Sequence, residues 1–479
     1  MRFLVYSNGA LASEFDLNGA YVFDADRTVL GISDSIAFAD GRISFDLLNY
    51  ETAGLSVLWN VDGIGRLQLS TAKLRRRQEP YILNLELARA KLMQITLKRE
   101  DWELFDEQDD HTHKVISAAV KLFVEALANV RSPAKASEYA DKCLKKAILA
   151  AENLAQRQAQ YVIEEKAQRN ELNELSNACV LQPKYTNSPS YIKNISAIFD
   201  RIVIPVHWVD IEKKKGTYDF SALDQYIAAF NGTKVKFTAG PLLRFENGFF
   251  PSWLADYEFD GVKELAYNFV SEAVKRYAGV IDSWVLVGGM NSRNDLKFAF
   301  DDCIDICAAA CMAAKTAHSS TTRILSLDKP WGWYHGENVR TIPTEQFAET
   351  LVQNAISFDK LGLEIDFSGL DPDNHARDLM QISAMLDRFS MSLRPLCIMS
   401  VKVPSAQNKG GYWRALWSDN TQAAFVKALY KILFGKHQID MVAYGCFIDP
   451  ETPVGLVSQA GEPKKALKFI KNAKILSAQ

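Results

Sequence analysis

The sequence has no run of about 18 apolar residues, so it offers no candidate for a helix that crosses a bilayer. It also lacks an excess of one charge, since 55 basic residues stand against 58 acidic ones for a net −3. Phosphate recognition concentrates Lys and Arg in a net-basic domain, so no nucleic-acid partner is expected, and no membrane partner either. Nucleotide loops are missing: neither GxGxxG nor GxxxxGKS/T follows any apolar run. Its seven cysteines show no CxxC spacing and give no disulfide framework. Cys303, Cys307 and Cys311 share one helix face, and because buried cysteine packs as a small apolar side chain, helix packing is expected there rather than a metal cluster. His111 and His113 lack further placed ligands. No metal and no cofactor is expected.

What is present is an ordinary globular balance, 48% hydrophobic and 24% charged over 479 residues. The start, MRFLVYSNGALASEFD, has one Arg and an apolar stretch broken by Ser7, Asn8 and Gly9. A secretory leader needs a longer apolar core. The expectation is a soluble, cytoplasmic protein, or a mature form whose leader is absent.

Three stretches differ in rhythm. Residues 1–110 alternate at period two in AYVFDA, GRISFDLL and GLSVLWNV, which predicts a β-rich unit; from about Pro80 the pattern turns helical, and the acidic EDWELFDEQDD follows. Residues 111–176 carry two amphipathic segments, about Lys114 to Val130 and Ala134 to Arg169, separated by Ser132 and Pro133. They predict a helical hairpin, a surface through which a protein partner or a second copy can associate. Over 177–479, eight apolar runs (ACVLQP, RIVIPVHW, KVKFTAGP, DSWVLVGG, RILSLDKP, LGLEIDFS, LCIMSVKVP, DMVAYGCF) alternate with helix-length segments. Eight strand–helix units fit a closed (β/α)8 TIM barrel.

In such barrels the chemistry sits at the carboxyl ends of the strands. Those ends offer His207 and Trp208, Arg244 and Glu246, Gly289 and Asn291, Asp328 and Lys329, Glu364 and Asp366, Ser400 and Lys402, and Tyr444 with Asp449.

From about Ile202 to Ile475 the chain resembles the family 10 glycoside hydrolases, the xylanase-type barrels. HWVDIEKKKGTYDFSALDQYI is similar to that family's second strand–helix unit, TAGPLLRFENGFFPSWL to its third-strand segment ending in Pro-x-Trp, IDSWVLVGG to its fourth strand and KLGLEIDF to its sixth. The resemblance implies a carbohydrate ligand and two catalytic glutamates, because a retaining glycosidase needs an acid/base and a nucleophile about 5–5.5 Å apart. The family's acid/base closes a Trp-Asp-Val-x-Asn-Glu run, where this sequence has Trp284 to Gly289. Its nucleophile lies in Ile-Thr-Glu-Leu-Asp, where this sequence has Ile398, Met399, Ser400, Val401 and Lys402. Gly cannot transfer a proton, and Ser without a His partner is a poor nucleophile. His207 stands for the family's Lys and Tyr444 for its eighth-strand Trp, while Trp208 and Trp253 keep the aromatic pattern.

A noncatalytic carbohydrate binder is therefore the first expectation, with His207, Trp208, Arg244, Trp253, Asn291, Trp331, Trp413 and Tyr444 as binding residues. Trp331, Trp333 and Tyr334, and likewise Tyr412, Trp413 and Trp417, form aromatic clusters in loops at the mouth; flat rings with polar tips suit sugar faces. The alternative is an active hydrolase whose carboxylates are Asp328, Glu364 and Asp366, the last two on one face of a strand. A third reading is a structural or interaction protein on a retained fold.

Overall fold

The computed structural model describes residues 1–24, 28–46, 50–102, 110–338 and 340–473. Most of the acidic stretch, residues 103–109, lies outside them. The eight apolar runs form eight parallel strands of one closed barrel: Ser176–Val180, Arg201–Ile204, Lys236–Ala239, Ser283–Gly288, Thr322–Leu327, Lys360–Asp366, Leu396–Lys402 and Ile439–Tyr444. They are numbered one to eight below. Strand eight closes on strand one with Ala443 beside Ala178.

Period-two alternation sorts the side chains into two layers. Ala178, Val203, Val285, Ile324, Cys397, Met399, Met441 and Ala443 pack together inside the barrel. Their chain neighbours, among them Ile202, Trp284, Leu325, Ile398 and Val442, join the larger core under the surrounding helices. On strand six Leu361, Leu363 and Ile365 belong to that outer core, which turns Gly362, Glu364 and Asp366 to the inside. A Cβ on Gly362 would indeed meet Met399 at 2.9 Å.

Two of the helix-length segments of the sequence, Leu296 to His318 and Thr344 to Phe358, form shorter helices than their periodicity predicts. The segment from Leu296 becomes helical only at Phe300, because the Asn294 side chain binds the Phe298 amide at 3.1 Å and Asp302 binds that of Ala299 at 3.0 Å. The segment from Thr344 stops at Gln353, ahead of Ala355 at φ +52°. Cys303, Cys307 and Cys311 are buried on the Phe300–Ala317 helix.

The N-terminal unit has two multi-stranded sheets and a separate two-stranded pair, Tyr6–Ser7 with Ala10–Leu11. In one, the strands run Tyr81–Ile82, Arg2–Leu4, Arg42–Ser44 and Ala37–Ala39. In the other, the central strand Thr52–Val61 lies between Gly65–Ser70 and Tyr21–Phe23. The hairpin forms as Asp110–Ala128 and Pro133–Gln168, with Pro133 in the first turn, where no amide partner is lost. The longer helix buries Ala140, Ala147, Ala151, Ala155 and Ala159, and these small residues permit close approach to the barrel helix Asp419–Phe434. A Cβ on Gly435 would stand 2.4 Å from Ala159 Cα. Lys166 Nζ donates to the carbonyls of Phe434 and Lys436, which the end of that helix leaves without intrahelical donors. Among the described residues no helix is long and apolar enough to cross a membrane.

The N-terminal unit reaches the barrel mouth through three loops. Tyr412–Trp413, in the loop after strand seven, pairs antiparallel with Gly65–Ser70 and becomes the edge strand of the second N-terminal sheet. The Gln68 amide donates to Ala376 O at 2.8 Å, and His375 Nδ1 lies 3.1 Å from Gln68 Oε1, which holds the loop after strand six. Gly336, after strand five, sits where a Cβ would be 2.5 Å from Ile32 Cγ2.

Candidate active site at the barrel mouth

Strands five, six and seven deliver Asp328, Glu364, Asp366 and Lys402 to the mouth, and the loop after strand three adds Arg244 and Glu246. Asp328 follows strand five, and its Oδ2 accepts from Arg244 Nη2 at 2.7 Å. Arg244, from the loop after strand three, also reaches Glu246 at 2.7 Å. Burial works against the Arg244 charge, but Asp328 and Glu246 outweigh it and hold the guanidinium firmly protonated. Its Cζ lies 5.1 Å from the Phe249 ring, and the His207 ring meets the same phenyl edge-on at 4.7 Å.

Asp366 accepts from Lys402 Nζ at 3.1 Å and from the Ser368 amide at 2.7 Å. Burial opposes the Lys402 charge as well, yet Asp366 and Glu364 keep its pKa at about 12. Glu364 lies between these two ion pairs, half-buried. Burial and the negative charge of Asp328 push its carboxyl up to about 7, against the opposing pull of Lys402 and Arg244. A carboxyl in that range is part protonated near neutrality and can both donate and accept.

Strand four ends beside this network in two glycines, Gly288 and Gly289. Gly289 has φ +67°, and a Cβ there would stand 2.6 Å from Asp328 Oδ2 and 3.2 Å from Arg244 Cζ. A Cβ on Gly288 would meet Pro241 at 2.8 Å. Ser400 sits beside Glu364 in the strand six to seven register, with Lys402 beside Asp366.

The structure thus brings Arg244, Asp328, Glu364 and Asp366 together. Other residues predicted as binding groups are engaged elsewhere. Asn291 is fully buried; its Nδ2 donates to Asp328 O at 2.9 Å and its Oδ1 accepts the Asp328 amide at 3.2 Å, so it fixes the backbone under the carboxylate. Trp208 stacks on Phe269 at 4.9 Å and gives its Nε1–H to Glu212 at 2.6 Å. Trp253 meets Trp208 edge-on and donates to Glu212 O at 3.2 Å. Tyr444 is buried in the outer core with its hydroxyl on Val454 O.

The aromatic clusters are engaged in the same way. Trp413, 8% exposed, gives its Nε1–H to Glu152 of the long hairpin helix at 2.7 Å, and its backbone pairs with Gly65. Trp333 is buried against Tyr21 and Val29 of the N-terminal unit. Trp417 donates to Gly411 O at 2.7 Å. Trp331 is half-buried under the Arg377 guanidinium at 3.9 Å. These rings hold the N-terminal unit and the loops together instead of lining the mouth as free plates. Glu152, Phe249 and Arg377 were not anticipated; only Phe249 carried a signal, the aromatic run FENGFF just after strand three. Among the described residues no group of three or more His, Cys, Asp or Glu has metal-binding geometry.

No protein-family model matches the chain, and the search of curated proteins returns no relative. Among solved structures the chain is similar to xylanase 10B from Thermotoga maritima, at 15% identity and a TM-score of 0.51, covering 64% of this chain and 97% of that one. It is equally similar to a GH10 protein from Paenibacillus barcinonensis, at 14% identity and a TM-score of 0.51, with the same coverage of both chains. The fold is therefore a (β/α)8 barrel of the type seen in family 10 glycoside hydrolases, with an N-terminal β-rich region and helices added to it.

Proposed function

We propose that the barrel mouth binds a carbohydrate and does not carry out the double displacement of a retaining glycosidase. The observation that carries this reading is the Asp328–Arg244 ion pair at Gly289. In the xylanase-type pattern a proton-donating glutamate belongs at that position; here the space is taken by the Asp328 carboxylate, held in place by its ion pair with Arg244. Ser400, on the strand where the nucleophile belongs, lies beside Glu364 in register, and a neutral hydroxyl is a poor nucleophile without an adjacent base. With Trp333 and Trp413 committed to the N-terminal unit and Trp208 and Trp253 to packing within the barrel, recognition falls to polar groups. Glu364 supplies a carboxyl that donates or accepts, and Arg244 and Lys402 supply fixed donors, a set suited to sugar hydroxyls.

A hydrolytic reading has one specific support, the Glu364 carboxyl near 7 next to the ion-paired Asp328. Acid/base pairs in inverting glycosidases are carboxyl groups in such unlike environments.

Thermal shift against xylo-, cello- and manno-oligosaccharides tests the binding reading, since a ligand that binds only the folded state raises Tm. Saturable stabilisation by at least one series, weakened in E364Q and without release of reducing sugar, is the expected result. Flat curves with every series overturn binding, and sugar release that disappears in E364Q transfers the assignment to the hydrolytic reading.

A further inference from the structure

A cavity of about 920 Å³ runs along the seam between the N-terminal unit and the barrel. None of Arg244, Asp328, Glu364 or Lys402 lines it. Its walls come from the helix Leu83–Asp101, the second N-terminal sheet, the loop after strand five, and Arg377 just ahead of the Leu379–Ser390 helix.

Arg377 is 2% exposed, and its Nε and Nη2 have no hydrogen-bond partner. Those two nitrogens flank one edge of the guanidinium. They form the fork that takes both oxygens of a carboxylate. An arginine stays charged in a protein, and a buried charge without hydrogen bonds is unfavourable, so the fork calls for an acceptor. Its stacking on Trp331, 3.9 Å from the ring centroid, fixes the plane of the fork without satisfying its in-plane donors.

Of the other cations lining the cavity, Lys91 pairs with Asp378 at 2.6 Å and Arg388 with Glu345 at 2.6 Å, while Lys73 is exposed. Asp373 is taken by the amides of Trp333 and Tyr334. Trp333, packed on the cavity-lining Tyr21 and Val29, leaves its Nε1 as a second buried donor with no partner. Both orphan groups are donors, so what is missing is an acceptor. On the helix Leu83–Asp101, Met93 and Leu97 line the cavity and are 49% and 59% exposed, high values for such side chains on a packed helix.

We propose that this seam binds a small organic carboxylate, its oxygens on the Arg377 Nε/Nη2 fork and its apolar body against Met93 and Leu97. The site is separate from the barrel mouth and stands independently of the carbohydrate reading.

Benzoate is the probe, with isothermal titration and thermal shift on the full chain as readouts. Saturable binding is expected. Benzyl alcohol, the same ring without the charge, and inorganic phosphate, an oxyanion without the ring, should each bind at least about ten-fold more weakly. R377Q should weaken benzoate by roughly 30-fold or more. M93W fills the apolar side from an exposed helix position and should abolish benzoate binding while Tm without ligand stays unchanged. No benzoate binding to the unmodified chain, equal binding of benzyl alcohol, or unchanged benzoate affinity in M93W overturns the proposal, the last whether or not R377Q folds. Phosphate binding without benzoate binding overturns the carboxylate assignment.

Discussion

The Asp328 carboxylate fills the space that a side chain at Gly289 would need, with Oδ2 2.6 Å from the position of a Cβ there. Residue 289 and the ion pair therefore constrain each other. Asn291 holds the Asp328 backbone through both its carbonyl and its amide, and Arg244 holds the carboxylate, so the acid has little freedom to move aside.

Placing a glutamate at this position should consequently fail. In G289E the left-handed backbone at φ +67° costs about 1–3 kcal/mol for a residue with a Cβ, and displacement of Asp328 adds to it. Guanidinium denaturation should register that loss, and a reducing-sugar assay on xylan should show no gain. Hydrolysis appearing at undiminished stability would contradict the assignment of this space to the ion pair.

The Glu364 carboxyl gives a pH signature of defined sign. With its pKa raised from 4.5 to about 7, the folded state holds a proton that the unfolded state has released over that interval. Its contribution to stability is full below about pH 4.5 and is lost as pH rises through about 7. E364Q removes the group, so the stability of the unmodified chain relative to E364Q should fall between pH 4.5 and 8, by on the order of 1–3 kcal/mol. A difference that is flat with pH, or one that rises, would contradict the proton assignment.

Arg244 is one of the cations that hold this carboxyl down. Replacing it in R244M leaves Asp328 and Glu246 without their shared partner, at a cost of about 3 kcal/mol. The Glu364 titration should also move to higher pH, which carbon-13 NMR of the carboxyl resonance reads directly. A Glu364 midpoint that does not move in R244M would separate the two residues electrostatically.

Glu152 ties the hairpin to the barrel loops. It accepts from Trp413 Nε1, from the Leu379 amide and from Arg414, so E152A strands three donors at once. A loss of about 3 kcal/mol is expected, near the lower end for breaking a buried ion pair, because Arg414 is partly exposed. Hydrogen exchange should quicken first in Gly65–Ser70, the strand that Tyr412–Trp413 borders. Protection there equal to that of the unmodified chain would mean that Glu152 does not hold the edge strand.

The barrel was legible because its signals are local. Each strand is a short apolar run whose alternation decides what faces in, and that parity on Leu361, Leu363 and Ile365 is enough to turn Glu364 and Asp366 inward. The hairpin was legible from Pro133 and the long amphipathic run that follows it. The partners of the site residues were not. Asp328 pairs with Arg244, 84 positions earlier, while the adjacent Lys329 pairs with Asp371. The aromatic loops were ambiguous for a physical reason: rings beside glycines describe a sugar platform and a tight approach of two backbones equally well. At Gly411 the second holds, since a Cβ would be 2.1 Å from Arg66 O. A two-residue strand such as Tyr412–Trp413 is also too short to show any period.

That borrowed strand has a consequence during synthesis. Gly65–Ser70 leaves the ribosome long before Tyr412 and Trp413 are made, and at ~5–20 residues per second the delay is on the order of tens of seconds. Throughout that time the nascent sheet presents a bare edge, the kind of surface on which other chains assemble, so translation of this protein includes a long interval in which a chaperone has something specific to shield.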